Sequence, residues 1–249
     1  MIASLMMYAR PELVEAHHAY WAAIRGALAR RGIDSPQVLS NDVAEFDVWR
    51  APDLVLSQTC GLPYRAYLSD DVTLVGTPDF GLPGCPAGYY NSAIVVRKDD
   101  ERSTLEAFAD ARFTYNQNIS QSGYAAIYFL AQESGFWFSD RVESGGHVTS
   151  ARMVAERQAD IAAIDAQTWR NICRFDAFAA KLRVLAMTPP TPSLPYISAK
   201  GVNAAALFGA VAEAIETLDD ASRQALDLHG FIPIPKEDYL AIPNPPLPR

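Results

Sequence analysis

A doubly wound α/β chain arranged in two lobes is predicted by three observations. Short apolar runs with strand character alternate with longer segments of helical period. Two connectors rich in proline or glycine, residues 79–88 and 188–195, interrupt that alternation. Between them lies a middle segment with its own strands and helices. The first lobe is therefore expected from both ends of the chain, residues 1–88 and 188–249. The second is expected from residues 89–187, with hinges near 79–91 and 186–195.

The elements follow in order. Residues 2–8 form an apolar first strand. Pro11 suits the first turn of a helix over 12–31, whose apolar residues Leu13, Val14, Ala16, Tyr20, Trp21, Ile24 and Leu28 recur at helical spacing. Gly32 stands where a helix C-terminus needs it. Residues 43–49 suit a short helix. Residues 53–58 (DLVLSQ) read as a buried parallel strand, and 59–64 (TCGLPY) as the loop at its carboxyl end. Strands follow at 72–78 and 89–97, then a helix at 99–109. A short strand at 112–115 leads to a helix running to about 133. Residues 134–143 read as an aromatic loop, and 145–147 as a turn. A helix at 148–158, a strand at 160–165, a helix at 166–175 and a strand at 182–187 complete the middle segment. Beyond the second connector, a strand at 196–199, a helix at 203–218 and a short helix near 221–228 lead to a proline-rich tail.

Composition narrows the function. The chain has 249 residues, is 49% hydrophobic and carries a net charge of -8 with a pI near 5.0. That is enough apolar material for two lobes. An acidic chain without a Lys/Arg block is a poor match for nucleic acid. No run reaches the roughly 18 apolar residues of a membrane helix. Cys60, Cys85 and Cys173 show neither disulfide nor zinc-ligand spacing, and His17-His18 are adjacent rather than four apart, so no metal or cofactor is expected. No export signal precedes the first strand, which leaves the compartment open.

The most informative stretch is residues 118–124, NISQSGY. It joins a β-like run to a helix. The first N–H groups of a helix lack intrahelical partners, and the helix dipole favours an anion there. Ser120 and Ser122 add hydroxyl donors, and Gly123 permits close approach. Taken alone, the stretch reads more readily as an ordinary serine cap, with Gly123 as a loop residue. Asp165 ends a buried strand, where a carboxylate needs a partner; it would hold a ligand or cap the next helix. His147, in a Gly-Gly turn, would contact a ligand or face solvent. Of the neighbours Tyr89 and Tyr90, one points to the core and the other to a cleft.

In this order the segments resemble one family. Residues 53–64 (DLVLSQTCGLPY), 89–97 (YYNSAIVVR), 118–124, 144–165 (SGGHVTSARMVAERQADIAAID) and 192–198 (PSLPYIS) are similar to the phosphonate/phosphate-type substrate-binding proteins of ABC transporters. The resemblance implies a type II periplasmic-binding-protein fold, each lobe a mixed sheet flanked by helices, with a ligand cleft between lobes. It implies a monomeric protein that captures a small anionic or zwitterionic solute, phosphonate- or phosphate-ester-like, for an ABC permease. It also implies roles. Ser120, Gln121 and Ser122 would bind the oxyanion, and His147 would approach from its turn. Asp165 would accept from a protonated ligand oxygen or an amine. Tyr8 and Tyr64 would close the site from the first lobe, with Thr59 and Cys60 beside them, and Tyr90 would stand at the hinge. Gln121 departs from the family's usual threonine. The missing export signal favours the alternatives, a cytoplasmic enzyme or a ligand sensor on the same fold; an iron site built from tyrosines, His147 and Asp165 is a third. No nucleophile–base pair supports an enzyme.

Overall fold

The computed structural model describes residues 1–246. They divide into two compact units. Unit 1 comprises Met1–Tyr89 and Pro192–Ile242; unit 2 comprises Tyr90–Thr191 and residues 243–246.

The elements run β1 (Ile2–Ser4), α1 (Val14–Arg30), α2 (Glu45–Trp49), β2 (Leu54–Gln58), the single turn α3 (Gly61–Pro63), β3 (Val72–Asp79), β4 (Tyr89–Tyr90), β5 (Ser92–Arg97), β6 (Phe113–Tyr115), α4 (Ala126–Glu133), β7 (Arg141–Glu143), α5 (His147–Ala155), β8 (Ile161–Asp165), α6 (Ala166–Phe175), β9 (Leu182–Met187), β10 (Thr191–Pro192), β11 (Tyr196–Ala199), α7 (Ala204–Thr217), α8 (Asp220–Ala225), β12 (Gly230–Ile232) and α9 (Lys236–Leu240).

Each unit is built on a mixed five-stranded sheet. In unit 1 the order is β1-β2-β11-β3-β12. β1 and β2 are parallel, β11 runs antiparallel to β2 and β3, and β12 is antiparallel to β3. In unit 2 the order is β7-β6-β8-β5-β9. There β6 is parallel to β7 and β8, and β5 is antiparallel to β8 and β9. The consequence for function is geometric: β6, β7 and β8 end on one edge of the unit 2 sheet, and β5 begins on that same edge.

Central strands are apolar on both faces because both faces are covered. In β5, Ile94 and Val96 pack with Phe108, Phe113, Ile127 and Phe138, while Ala93 and Val95 pack with Ala151, Val154 and Ile172. The two-residue period of a strand also assigns Ile161 and Ala163 of β8 to the first cluster, Ala162 and Ile164 to the second. In unit 1 the cluster under β2 and β11 holds Trp49, Leu54, Tyr64, Leu68, Ile197 and Tyr239. Gly32, at φ +68°, ends α1 in the left-handed conformation that glycine adopts cheaply.

Several elements differ from expectation. The helix expected at 99–109 is a single 3-10 turn, Glu106–Phe108. Asp100 accepts hydrogen bonds from the Arg102 amide (3.1 Å) and guanidinium (2.6 and 2.9 Å), and its carbonyl accepts from Arg183 at 2.9 Å. These bonds divert the groups a helix start would need. The aromatic loop at 134–143 ends in β7, which pairs with β6. The loop at 59–64 is α3, continued as a wide turn at Tyr64–Leu68. The first strand stops at Ser4, and Met6–Tyr8 form a 3-10 turn. Val14, expected on the inner face of α1, is 43% exposed. The tail contains β12 and α9: Pro235 caps α9, and buried Tyr239 donates to the Ser193 carbonyl at 2.9 Å.

Candidate functional site

The edge where β6, β7 and β8 end gathers the unit 2 candidates. After β6 the chain turns through residues 116–120 into a wide helical turn, Gln121–Ala125, that continues as α4. Ser120 is extended (φ -80°, ψ 131°), and its Oγ accepts from the Gly123 amide at 3.0 Å. It is therefore a serine N-cap. Ser120, Gln121 and Ser122 are each 3% exposed. Three adjacent polar residues that deeply buried at a helix start are expensive unless their groups are satisfied.

The turn before α5 reaches the same place. Ser144 N–H donates to the Tyr115 carbonyl (2.8 Å), and Gly145 N–H to the Asn116 carbonyl (2.9 Å). Ser144 Oγ lies 2.6 Å from Ser150 Oγ, which fixes the first turn of α5. His147, the first residue of α5, is thereby held with Nε2 3.0 Å from Ser122 Oγ. The residue keeps some exposed surface, but its Nδ1 is shut off from solvent. Desolvation pushes the imidazole pKa down to about 4, against a smaller upward pull from the Ala163 carbonyl. His147 is thus neutral at pH 7.

Gly123 makes this packing feasible. A Cβ there would lie 1.9 Å from Asn116 Oδ1 and 3.0 Å from His147 Cε1. Asn116 is a residue that sequence reasoning missed; its position just past a strand that ends at a helix start was the available signal. Its Oδ1 is buried without a hydrogen-bond partner among the described residues, as is Asn91 Oδ1 at the start of β5. Unsatisfied buried oxygens of this kind cost about 1–3 kcal/mol each, and they mark places where structure yields to another demand.

Asp165 ends β8 on that edge, pairs with Ser92 of β5 and is 2% exposed. Its Oδ1 accepts from Thr168 N–H at 2.8 Å, so it caps α6. Tyr90, 1% exposed, lies just before β5. Thr188, just past β9, donates its N–H to the Ser92 carbonyl (3.0 Å) while its Oγ1 accepts from Ser92 N–H (2.9 Å), tying down the start of β5.

In unit 1 the candidates stand at the carboxyl ends of the parallel pair β1 and β2. Thr59 is fully buried; its N–H donates to Pro195 (3.0 Å), and its Oγ1 lacks a partner among the described residues. Cys60, partly exposed and in no disulfide, precedes α3. Tyr8 is half-buried, with its ring edge-on to Phe80 at 5.0 Å. Tyr64 is a core residue, 1% exposed and edge-on to Tyr239 at 5.2 Å. Its hydroxyl is pushed up to about 12 by burial, then by the Glu237 and Asp70 carboxylates. Among the described residues no group of three or more His, Cys, Asp or Glu could hold a metal, and no helix is long and apolar enough to cross a membrane.

A model of the family described as "ABC transporter, phosphonate, periplasmic substrate-binding protein" matches residues 58–239, well over half of the chain. The chain belongs to that family. Its members are solute-binding components of transporters, not enzymes. No curated protein matches the chain by sequence. Among solved structures, PhnD1 from Prochlorococcus marinus in complex with methylphosphonate is similar at 17% identity and TM-score 0.71, covering 96% of this chain and 94% of that one. A binding protein component of an ABC phosphonate transporter, PA3383 from Pseudomonas aeruginosa, is similar at 14% identity and TM-score 0.68, covering 97% and 83%. XAC2383 from Xanthomonas citri, bound to ATP, gives 14% and 0.67, covering 95% and 91%. At these identities the likeness shows the fold, the two-lobed type II periplasmic binding protein of the phosphonate-binding family.

Proposed function

We propose that this family member binds a phosphonate or a similar small oxyanion at the carboxyl edge of β6, β7 and β8. The observation that carries the reading is the buried serine turn, with Ser122 held against a neutral His147. A helix start presents amides and the positive end of its dipole to an anion. If His147 Nε2 carries the proton, it donates to Ser122 Oγ, and the Ser122 hydroxyl proton is left for a ligand oxygen. Ser120 and Gln121 flank that position. Using neutral donors, the site takes the charge of the ligand without a dense cationic cluster.

Asp165 would accept from a protonated ligand oxygen or from a ligand amine, which extends the ligand class to zwitterions. Tyr8, Thr59 and Cys60 of unit 1 and Tyr90 of unit 2 would be further ligand contacts. We take Tyr64 as packing support for that loop rather than a contact. The ligand-bound monomer would be the form offered to the permease. Calorimetric titration with methylphosphonate, an aminoalkylphosphonate, inorganic phosphate and a phosphate monoester tests the reading. It expects saturable one-to-one heat for at least one phosphonate; a folded sample silent to all four would overturn it.

A further inference from the structure

Unit 1 carries a cavity that the anion site does not use. It has a volume of about 540 Å³ and lies between α1 and the segment 37–41 that comes after α1 and lies beside the edge strand β1. The segment is fixed there: Ser40 N–H donates to the Ala3 carbonyl (2.8 Å), and Asn41 Oδ1 accepts from Ser4 Oγ and Leu5 N–H at 2.9 Å each. That volume falls in the range of small-molecule pockets.

Its chemistry is one-sided. Although the protein is acidic, none of the lining residues is Asp or Glu, while two arginines and two histidines are present. Arg10 is paired with Glu12 at 2.7 Å. Arg25 has no acceptor or carboxylate among the described residues; its Nε is shut off from solvent, and the residue as a whole is partly exposed. Asn41 has spent its oxygen on Ser4 and Leu5, which leaves its amide N–H groups as donors. The walls are apolar. Trp21 is 4% exposed, and Val14 and Val38, exposed by 43% and 73%, are among the few large apolar side chains left in solvent. A cavity with apolar walls, donors and an uncompensated guanidinium fits a ligand with the complementary pattern.

We propose that this cavity is a second ligand site, for a small organic anion whose carboxylate or sulfonate meets Arg25 and whose apolar body lies against Trp21, Val14 and Val38. The proposal does not rest on the oxyanion site in unit 2.

The test uses the full chain and the fluorescent anion 1-anilinonaphthalene-8-sulfonate. The expected result is saturable one-to-one binding, displaced by hexanoate, not displaced by hexan-1-ol and unaffected by saturating methylphosphonate. Arg25→Gln removes the charge at a partly exposed position and should weaken binding about tenfold, the size of a charge-assisted hydrogen bond. Val38→Glu, at a solvent-exposed position, should weaken it by a similar factor, since a like charge would face the sulfonate. Binding that does not saturate, an affinity unchanged in both variants, or displacement by methylphosphonate would overturn the proposal.

Discussion

Ser122 Oγ lies 3.0 Å from His147 Nε2, joining the first turn of one helix to the first residue of another. The contact depends on two loops that both leave the same sheet edge. It also depends on the Ser144 and Gly145 amides, which lock the second loop to the backbone after β6.

That contact has a pH signature. The folded protein holds His147 neutral down to about pH 4, whereas an unfolded histidine takes up its proton near 6.5. The folded pKa is depressed, so the unfolded state binds more protons between those values. Stability is full above about pH 6.5 and falls as pH drops toward 4, by on the order of 3 kcal/mol at most. Asp100, held at about 2 chiefly by Arg102, loses its contribution only below that window. Urea midpoints at pH 7.5, 6.0 and 5.0 should fall in the wild type and fall less steeply in His147→Asn. Equal slopes would show that His147 is not the group refused by the folded state.

Gly123→Ala should be destabilising. The new Cβ would overlap Asn116 Oδ1, which sits at 1.9 Å from that position. Overpacking of this kind costs typically 1–3 kcal/mol. Thermal denaturation should show a lowered Tm, and adding Asn116→Ala should recover part of it. A Gly123→Ala protein as stable as the wild type would mean that the turn relaxes without cost.

Asp165 has a structural role that can be separated from binding. Its Oδ1 caps α6 through Thr168. Asp165→Ala should cost about 0.5–2 kcal/mol of stability. Asp165→Asn keeps an oxygen for the cap and should be milder. If the carboxylate also receives a ligand amine, Asp165→Asn will weaken an aminoalkylphosphonate more than methylphosphonate. An equal effect on both would confine Asp165 to capping.

The sequence made the alternation of elements legible because buried strands such as β5 and β8 are apolar on both faces and short. It made the serine turn legible because Ser120 and Ser122 precede an unbroken apolar run at a strand end. It did not reveal the fate of residues 99–109, since a helix-like composition was overridden by the Asp100, Arg102 and Arg183 bonds. Nor did it reveal β12 and α9, because prolines masked a segment that tertiary pairing with β3 orders. Asp165 was open to both a ligand role and a cap role, and the Thr168 bond supplies the second. Tyr64 was assigned by resemblance, and its place in the unit 1 cluster is set by Tyr239, a residue 175 positions away whose proximity no local pattern encodes. The Asn116–Gly123 approach is local, but it follows from the shape of the turn into α4 rather than from residue type, so only Asn116's position past a strand end hinted at it.

The central claim is that the serine turn holds the oxyanion. Calorimetric titration of methylphosphonate into the wild type and Ser122→Ala at neutral pH tests it most directly. The account predicts saturable binding by the wild type, weakened in Ser122→Ala by about 1.5–3 kcal/mol, the value of a hydrogen bond to a charged group, in a folded protein whose Tm is lowered by loss of the buried Ser122–His147 bond. Equal affinity in the two proteins would contradict it.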